Sequence, residues 1–197
     1  MYINSKTKID FKEAKKRYSD VEEQYLKNAP YYARSGQDKY LNEEIFKNKR
    51  DGIFVDLGAY DGVESSNTLF FEESMGWKGL CIEPLPHIFS NLVKYRKSIC
   101  INVCASENDE ITSFMHVNPA IRPESTREKG RTSNYEKLSG LTKYYTDKEK
   151  EIINDVINSC GGEKREFDVA CININTLLNI LPNKNIDLLS VDTEGSE

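Results

Sequence analysis

The chain has 197 residues, 30% of them charged and 38% hydrophobic, with a formal net charge of −5. That size suits one soluble domain with a substantial core, and the acidic balance argues against general nucleic-acid binding, which needs a basic surface to neutralise phosphates. The opening Met1-Tyr-Ile-Asn-Ser-Lys6 lacks an apolar signal core and no apolar run approaches the roughly 18 residues that span a bilayer, so a cytoplasmic protein without membrane contacts is expected.

Residues 1–50 read as an N-terminal helical segment and 51–197 as the core domain. Phe11, Ala14, Tyr18, Val21 and Tyr25 recur at helical spacing, which predicts a helix over 8–28 that ends at Asn28-Ala-Pro30. Residues 37–46 predict a second helix with Tyr40, Leu41, Ile45 and Phe46 inward. Strands and helices then alternate. A strand is expected over 53–57, where Ile53, Phe54 and Val55 form an unbroken apolar run that Asp56 ends, as in a strand covered on both faces. A helix is expected from Gly62 to Met75, with Val63, Phe70 and Phe71 inward, an Asp61/Glu64 capping box and Gly76 as its stop. Residues 79–83 predict the next strand. Pro86 opens a helix with Ile88, Phe89, Leu92 and Val93 apolar, whose negative end Lys94, Arg96 and Lys97 complement.

A third strand is expected over 99–104 and another over 111–117. Residues 118–135 carry prolines, Gly130 and the charges Arg122, Arg127, Lys129 and Arg131, and read either as a solvated loop or as a lid over an acceptor. Residues 136–160 read as mostly helical, 167–172 as a strand, 176–181 as a short helix and 187–191 as a buried strand. The alternation implies an α/β sandwich with a mostly parallel sheet, whose ligands bind at the carboxyl ends of the strands.

Candidate chemistry gathers at those ends. Asp56-x-Gly58-x-x-x-Gly62 puts an acid where a dinucleotide fingerprint has its first glycine. An acid beside a glycine turn suits a cationic ligand, such as the sulfonium and amino groups of S-adenosylmethionine. Glu83 follows Asp56 by 27 positions (83 − 56) and ends the second strand, where an acid accepts from ribose hydroxyls. Ala105 and Ser106 are small enough to flank an adenine, or form an ordinary loop. Asp192-Thr-Glu-Gly195 closes the last strand. Either Asp192 or Glu194 can serve as base toward an acceptor hydroxyl, Asp192 can instead hold an ammonium group, and either can cap a helix. Five cysteines, Cys81, Cys100, Cys104, Cys160 and Cys171, include no Cys-x-x-Cys, and the apolar settings of Cys81, Cys100 and Cys171 mark them as buried thiols. His87 and His116 show no ligand spacing with the cysteines, read as structural, and leave no expectation of a metal.

Three segments in this order, Phe54-Val-Asp-Leu-Gly-Ala-Tyr-Asp-Gly62, Cys81-Ile-Glu-Pro84 and Ile186-Asp-Leu-Leu-Ser-Val-Asp-Thr-Glu-Gly-Ser-Glu197, resemble the FkbM family of S-adenosylmethionine-dependent methyltransferases. Gly36-Gln-Asp-Lys-Tyr-Leu41 also resembles an opening segment of some members, and the likeness runs from about residue 36 onward. It implies a Rossmann-like class I methyltransferase domain that methylates hydroxyl oxygens of sugars or small metabolites. By position, Asp56, Gly58, Ala59, Tyr60, Asp61 and Gly62 correspond to the family's cofactor loop, Glu83 to its ribose-binding acid and Asp192 to its cofactor-facing acid. Such a domain normally has further C-terminal strands, so these are expected to be missing and the last strand to form an open edge. Two other readings compete: a NAD-dependent Rossmann oxidoreductase, and a non-catalytic or partner-completed cofactor-binding module.

Overall fold

Ile53–Leu57 pairs on both sides, which is why its apolar run is unbroken: every residue of this strand, β1, is buried. The structure, a computed structural model, describes residues 31–119, 138–181 and 185–193. They fall into two compact units, one within Met1–Asn108 and Ile172–Asp192, the other within Asp109–Cys171 and Thr193–Glu197.

The first unit is built on a parallel sheet. β1 is followed by α2 (Leu69–Met75), β2 (Lys78–Ile82), α3 (Pro86–Tyr95) and β3 (Ile99–Ile101). β8 (Leu188–Val191) returns from α5 (Ile174–Leu178) to lie beside β1, giving the order β3-β2-β1-β8. This is the Rossmann-like α/β arrangement the alternation implies, with the winding reversing between β1 and β8. Phe54, Phe70, Phe71, Trp77, Phe89 and Leu92 fill the core on one side of the sheet, and Val55, Leu80, Ile82, Ile101, Leu177 and Leu181 on the other. Free Cys81 and Cys100 are buried partners in the β2–β3 register.

Several expectations need correction. The helix predicted from Gly62 starts only at Leu69. Glu64-Ser-Ser-Asn-Thr68 is poor helix sequence, Ser65 takes a positive φ of 57°, and Ser66 Oγ accepts the N–H of Thr68 and Leu69 at 3.3 and 3.1 Å, so the chain turns at Ser66 before the helix starts with Thr68 as its N-cap. Asp61 does accept the Val63 and Glu64 N–H groups, but this closes a turn, not a helix. Gly76 ends α2 in the left-handed conformation, as its sequence position predicts.

Residues 37–46 form α1 (Gln37–Tyr40) running into a π-helical turn (Leu41–Ile45), and Tyr40 and Ile45 are exposed, contrary to the expected inward face. Leu41 and Phe46 do pack against the core, as expected, and polar groups turn in beside them. Asp38 accepts the Tyr32 and Ala33 N–H groups, and Asn42 Nδ2 donates to Tyr31 Oη and Asn48 Oδ1. The third strand stops at Ile101, and Cys104–Ser106 forms a separate strand, β4. β8 is not a buried strand: Leu189 is 54% and Val191 41% exposed, and being two residues apart they share one face of the strand that the described residues leave open. The helix predicted over 8–28 and residues 120–135 of the predicted loop or lid lie outside the described residues, while Asn118 and Pro119, expected to open that loop, end a strand over Glu110–Pro119.

In the second unit, β5 (Glu110–Pro119) pairs antiparallel with β6 (Gly140–Leu141) and with β7 (Gly162–Asn173). The helix α4 (Asp147–Cys160) starts at a Thr146/Glu149 capping box and buries Ile153 against Met115 and Val117. Residues 136–160 are thus only partly helical. No helix among the described residues is long and apolar enough to cross a membrane.

Candidate functional site

The carboxyl ends of β1 and β2 are tied together by the glycine turn. The N–H groups of Gly58 and Ala59 both donate to Ile82 O, at 3.0 Å each. Gly58 and Gly62 sit at φ 78° and 81°, which only glycine adopts without cost, and between them Tyr60 is held at φ 50°. The Tyr60 N–H donates to Glu83 Oε2 at 3.1 Å, so Glu83 stabilises a backbone conformation that a side chain disfavours.

Glu83 is 5% exposed and its other oxygen, Oε1, accepts the Leu85 N–H at 2.8 Å. These two backbone contacts, one to each oxygen, fix the plane of the carboxylate. Asn102, just after β3, donates from Nδ2 to Glu83 O and Pro84 O at 2.7 and 2.8 Å and holds the turn that carries Glu83. Its sequence context, Ile-Asn-Val, carries no signal for that role.

Asp56 points beneath the loop. Its Oδ2 accepts from Thr68 Oγ1 at 2.6 Å and lies 3.8 Å from Arg96 Nη1. Burial pushes its pKa up, with the Asp192 charge adding to the rise, while Arg96, Thr68 and Ser190 pull against it. Arg96, 1% exposed, also donates from Nη1 to Gly62 O and Ser66 Oγ at 3.3 and 3.4 Å and from Nη2 to Thr68 Oγ1 at 2.9 Å. Its Nε lies 3.3 Å from Glu72 Oε1, close enough for charge pairing but not aligned as a hydrogen bond. Glu72 in turn accepts the Lys97 and Ser98 N–H groups and the Ser98 hydroxyl. Burial alone would raise the Glu72 pKa; Arg96, Ser98 and the Lys97 N–H outweigh it and hold the carboxyl below its usual range. Arg96 reads in sequence as a solvated residue at a helix end, and nothing local distinguishes it from Lys94 and Lys97.

Asp192 is exposed just past β8, and its N–H donates to Leu57 O at 3.0 Å, which sets it beside the end of β1. Asn67 Nδ2 donates to Ser190 Oγ at 3.3 Å on the same strand end. The structure therefore brings together Asp56, the turn Gly58–Gly62, Glu83 and Asp192. Ala105 and Ser106 are half-buried on β4, off the end of the parallel sheet where they were expected, because β3 is only three residues long. Glu194 lies outside the described residues.

As a donor set, the turn offers backbone groups and carboxylates, with no basic side chain among residues 56–62, Glu83 or Asp192. That chemistry accepts from hydroxyls and attracts an ammonium or sulfonium group; it offers a pyrophosphate little. A family model described as the methyltransferase FkbM domain matches residues 56–197. No curated relative and no solved structure matches the chain.

Proposed function

The chain belongs to the FkbM methyltransferase family, and from that premise we propose that it takes a methyl group from S-adenosylmethionine and transfers it to a hydroxyl oxygen of a sugar or small metabolite. The observation that carries the cofactor is the clasp between the glycine turn and Glu83, an acid with its plane fixed by the Tyr60 and Leu85 N–H groups. In this reading Glu83 accepts from the ribose and the Gly58–Gly62 turn lies against the adenosyl moiety. Bound there, the cofactor supplies an electrophilic methyl group. The protein's own contribution is alignment in a shielded cleft and removal of the acceptor's proton. Asp192 is the exposed carboxylate beside the turn and is assigned as that base, with Glu194 as the alternative.

The nicotinamide reading is disfavoured by the start of α2. A dinucleotide's pyrophosphate rests on a helix N-terminus opened by the glycine turn. Here the helix begins only at Leu69, and Asp61 takes the free N–H groups after the turn.

Thermal unfolding with S-adenosylmethionine, S-adenosylhomocysteine and NAD in separate samples tests the cofactor. A ligand at 100 times its dissociation constant adds about 2.7 kcal/mol of stability. A shift with the adenosyl ligands alone is expected; a shift with NAD alone reverses the assignment. Glu83→Gln should weaken S-adenosylhomocysteine binding about 10- to 100-fold, the size of one or two charge-assisted hydrogen bonds. Unchanged calorimetric affinity in a folded variant would remove Glu83 from the ribose. For the base, Asp192→Asn should cost about 10²-fold or more in turnover, and if both it and Glu194→Gln turn over normally, neither acid is the base.

A further inference from the structure

The Arg96 side chain reaches the end of the glycine turn, the start of α2 and Asp56 together, through Gly62 O, Ser66 Oγ, Thr68 Oγ1 and the 3.8 Å ion pair. It comes from the residue after α3, and its guanidinium carbon stands 5.2 Å from the centre of the Phe54 ring, on β1. The loop between β1 and α2 has no helical or sheet ladder to hold it, and two of its non-glycine residues, Tyr60 and Ser65, have positive φ. A segment in such a conformation needs partners from elsewhere in the fold.

Two features argue that this cluster exists to fix shape. A buried ion pair or triad is a poor source of stability, since well-packed apolar residues of the same volume often do as well or better. The contacts also divide between Nη1 and Nη2, with the aromatic face beneath, an arrangement that uses the planar fork of a guanidinium and that a lysine ammonium does not reproduce.

We propose that Arg96 is a positioning residue for the cofactor: it holds the Gly62 carbonyl and Thr68 so that the turn keeps its binding geometry before ligand arrives. This rests on the reading of residues 56–62 as the cofactor loop. The guanidinium has no direct role toward the ligand; it acts through Gly62, Thr68 and Asp56, and Glu72 and Asp56 balance its charge.

The test compares wild type, Arg96→Lys and Thr68→Val as full chains, by calorimetric titration with S-adenosylhomocysteine and by amide NMR without ligand. Arg96→Lys keeps the charge opposite Glu72 and loses the fork. Thr68→Val keeps Arg96 and removes one of its acceptors, and covers the case in which Arg96→Lys does not fold. Expected are a dissociation constant raised about tenfold or more in Arg96→Lys and a smaller rise in Thr68→Val. The amide shifts of Gly58, Tyr60 and Gly62 should move in the ligand-free variants while those of β2 and β3 stay, a local signature that general loss of stability does not produce. Wild-type affinity in both folded variants, or shifts spread evenly over the sheet, would overturn the role of Arg96. Absence of binding by wild type would instead bring down the cofactor reading, and this inference with it.

Discussion

Replacing Gly62 by alanine is expected to destabilise the first unit by about 2–4 kcal/mol and to abolish tight adenosyl-ligand binding. Two costs add. The residue sits at φ +81°, where a Cβ meets its own backbone, and the new methyl would stand 2.6 Å from both Arg96 Cγ and Leu92 Cδ1. Neither neighbour has room to retreat, because both are fully buried. Gly36→Ala is the control. Gly36 has a similar φ of +76° but nothing within 4 Å of its added Cβ, so backbone strain alone remains, about 1 kcal/mol. Urea unfolding of the two variants separates the terms. Equal losses would mean that the turn does not pack on Arg96 and Leu92 as described.

Glu72→Gln is expected to cost about 3 kcal/mol at neutral pH, the lower end of the range for breaking a buried charge pair, because Asp56 remains near Arg96. The charge component carries a pH signature. The Glu72 carboxyl is held below its usual range by Arg96 and its hydrogen bonds despite burial, so its contribution is fully present above the unfolded value of roughly 4.3 and is lost as pH falls through the lower folded value. Asp56 has the opposite sign. Its raised pKa favours the protonated form in the folded state, so its titration stabilises the fold toward acid and costs stability at neutral pH. Acid limbs of the two proteins therefore differ in a defined way: the gap between wild type and Glu72→Gln should narrow as pH falls below about 4. A gap constant with pH would assign the cost to packing and not to charge.

Much of the parallel sheet is legible in the chain because its signals are local. Ile53-Phe-Val is apolar without interruption, Pro86 and Gly76 punctuate helices, and Gly58 and Gly62 mark the turn; each states a backbone preference that neighbouring residues alone decide. The acids Asp56, Glu83 and Asp192 fall at strand ends for the same reason, since the strands themselves are easily bounded. Element boundaries were less legible where polar side chains compete with the backbone. Over Gly62 to Met75, Val63, Phe70 and Phe71 fall at helical spacing, yet Asp61 and Ser66 capture the N–H groups that an early helical start would need, and α2 is delayed. Residues 37–46 have an apolar stripe, yet a π-helical turn and the buried Asp38 and Asn42 rotate Tyr40 and Ile45 to the surface.

What the sequence by itself determined is therefore the alternating α/β plan, the glycine turn and the acids at the strand ends, all properties of short windows. Only the tertiary structure decided what each acid faces. It turned Asp56 inward to Thr68 and Arg96, gave Glu83 to the Tyr60 N–H, left Asp192 in solvent, and buried Arg96 against a loop separated from it by three elements of the chain. Those assignments depend on distance in space: a buried charge must find its partners wherever the fold brings them, because leaving it unpaired in a low-dielectric interior costs more than any local preference supplies.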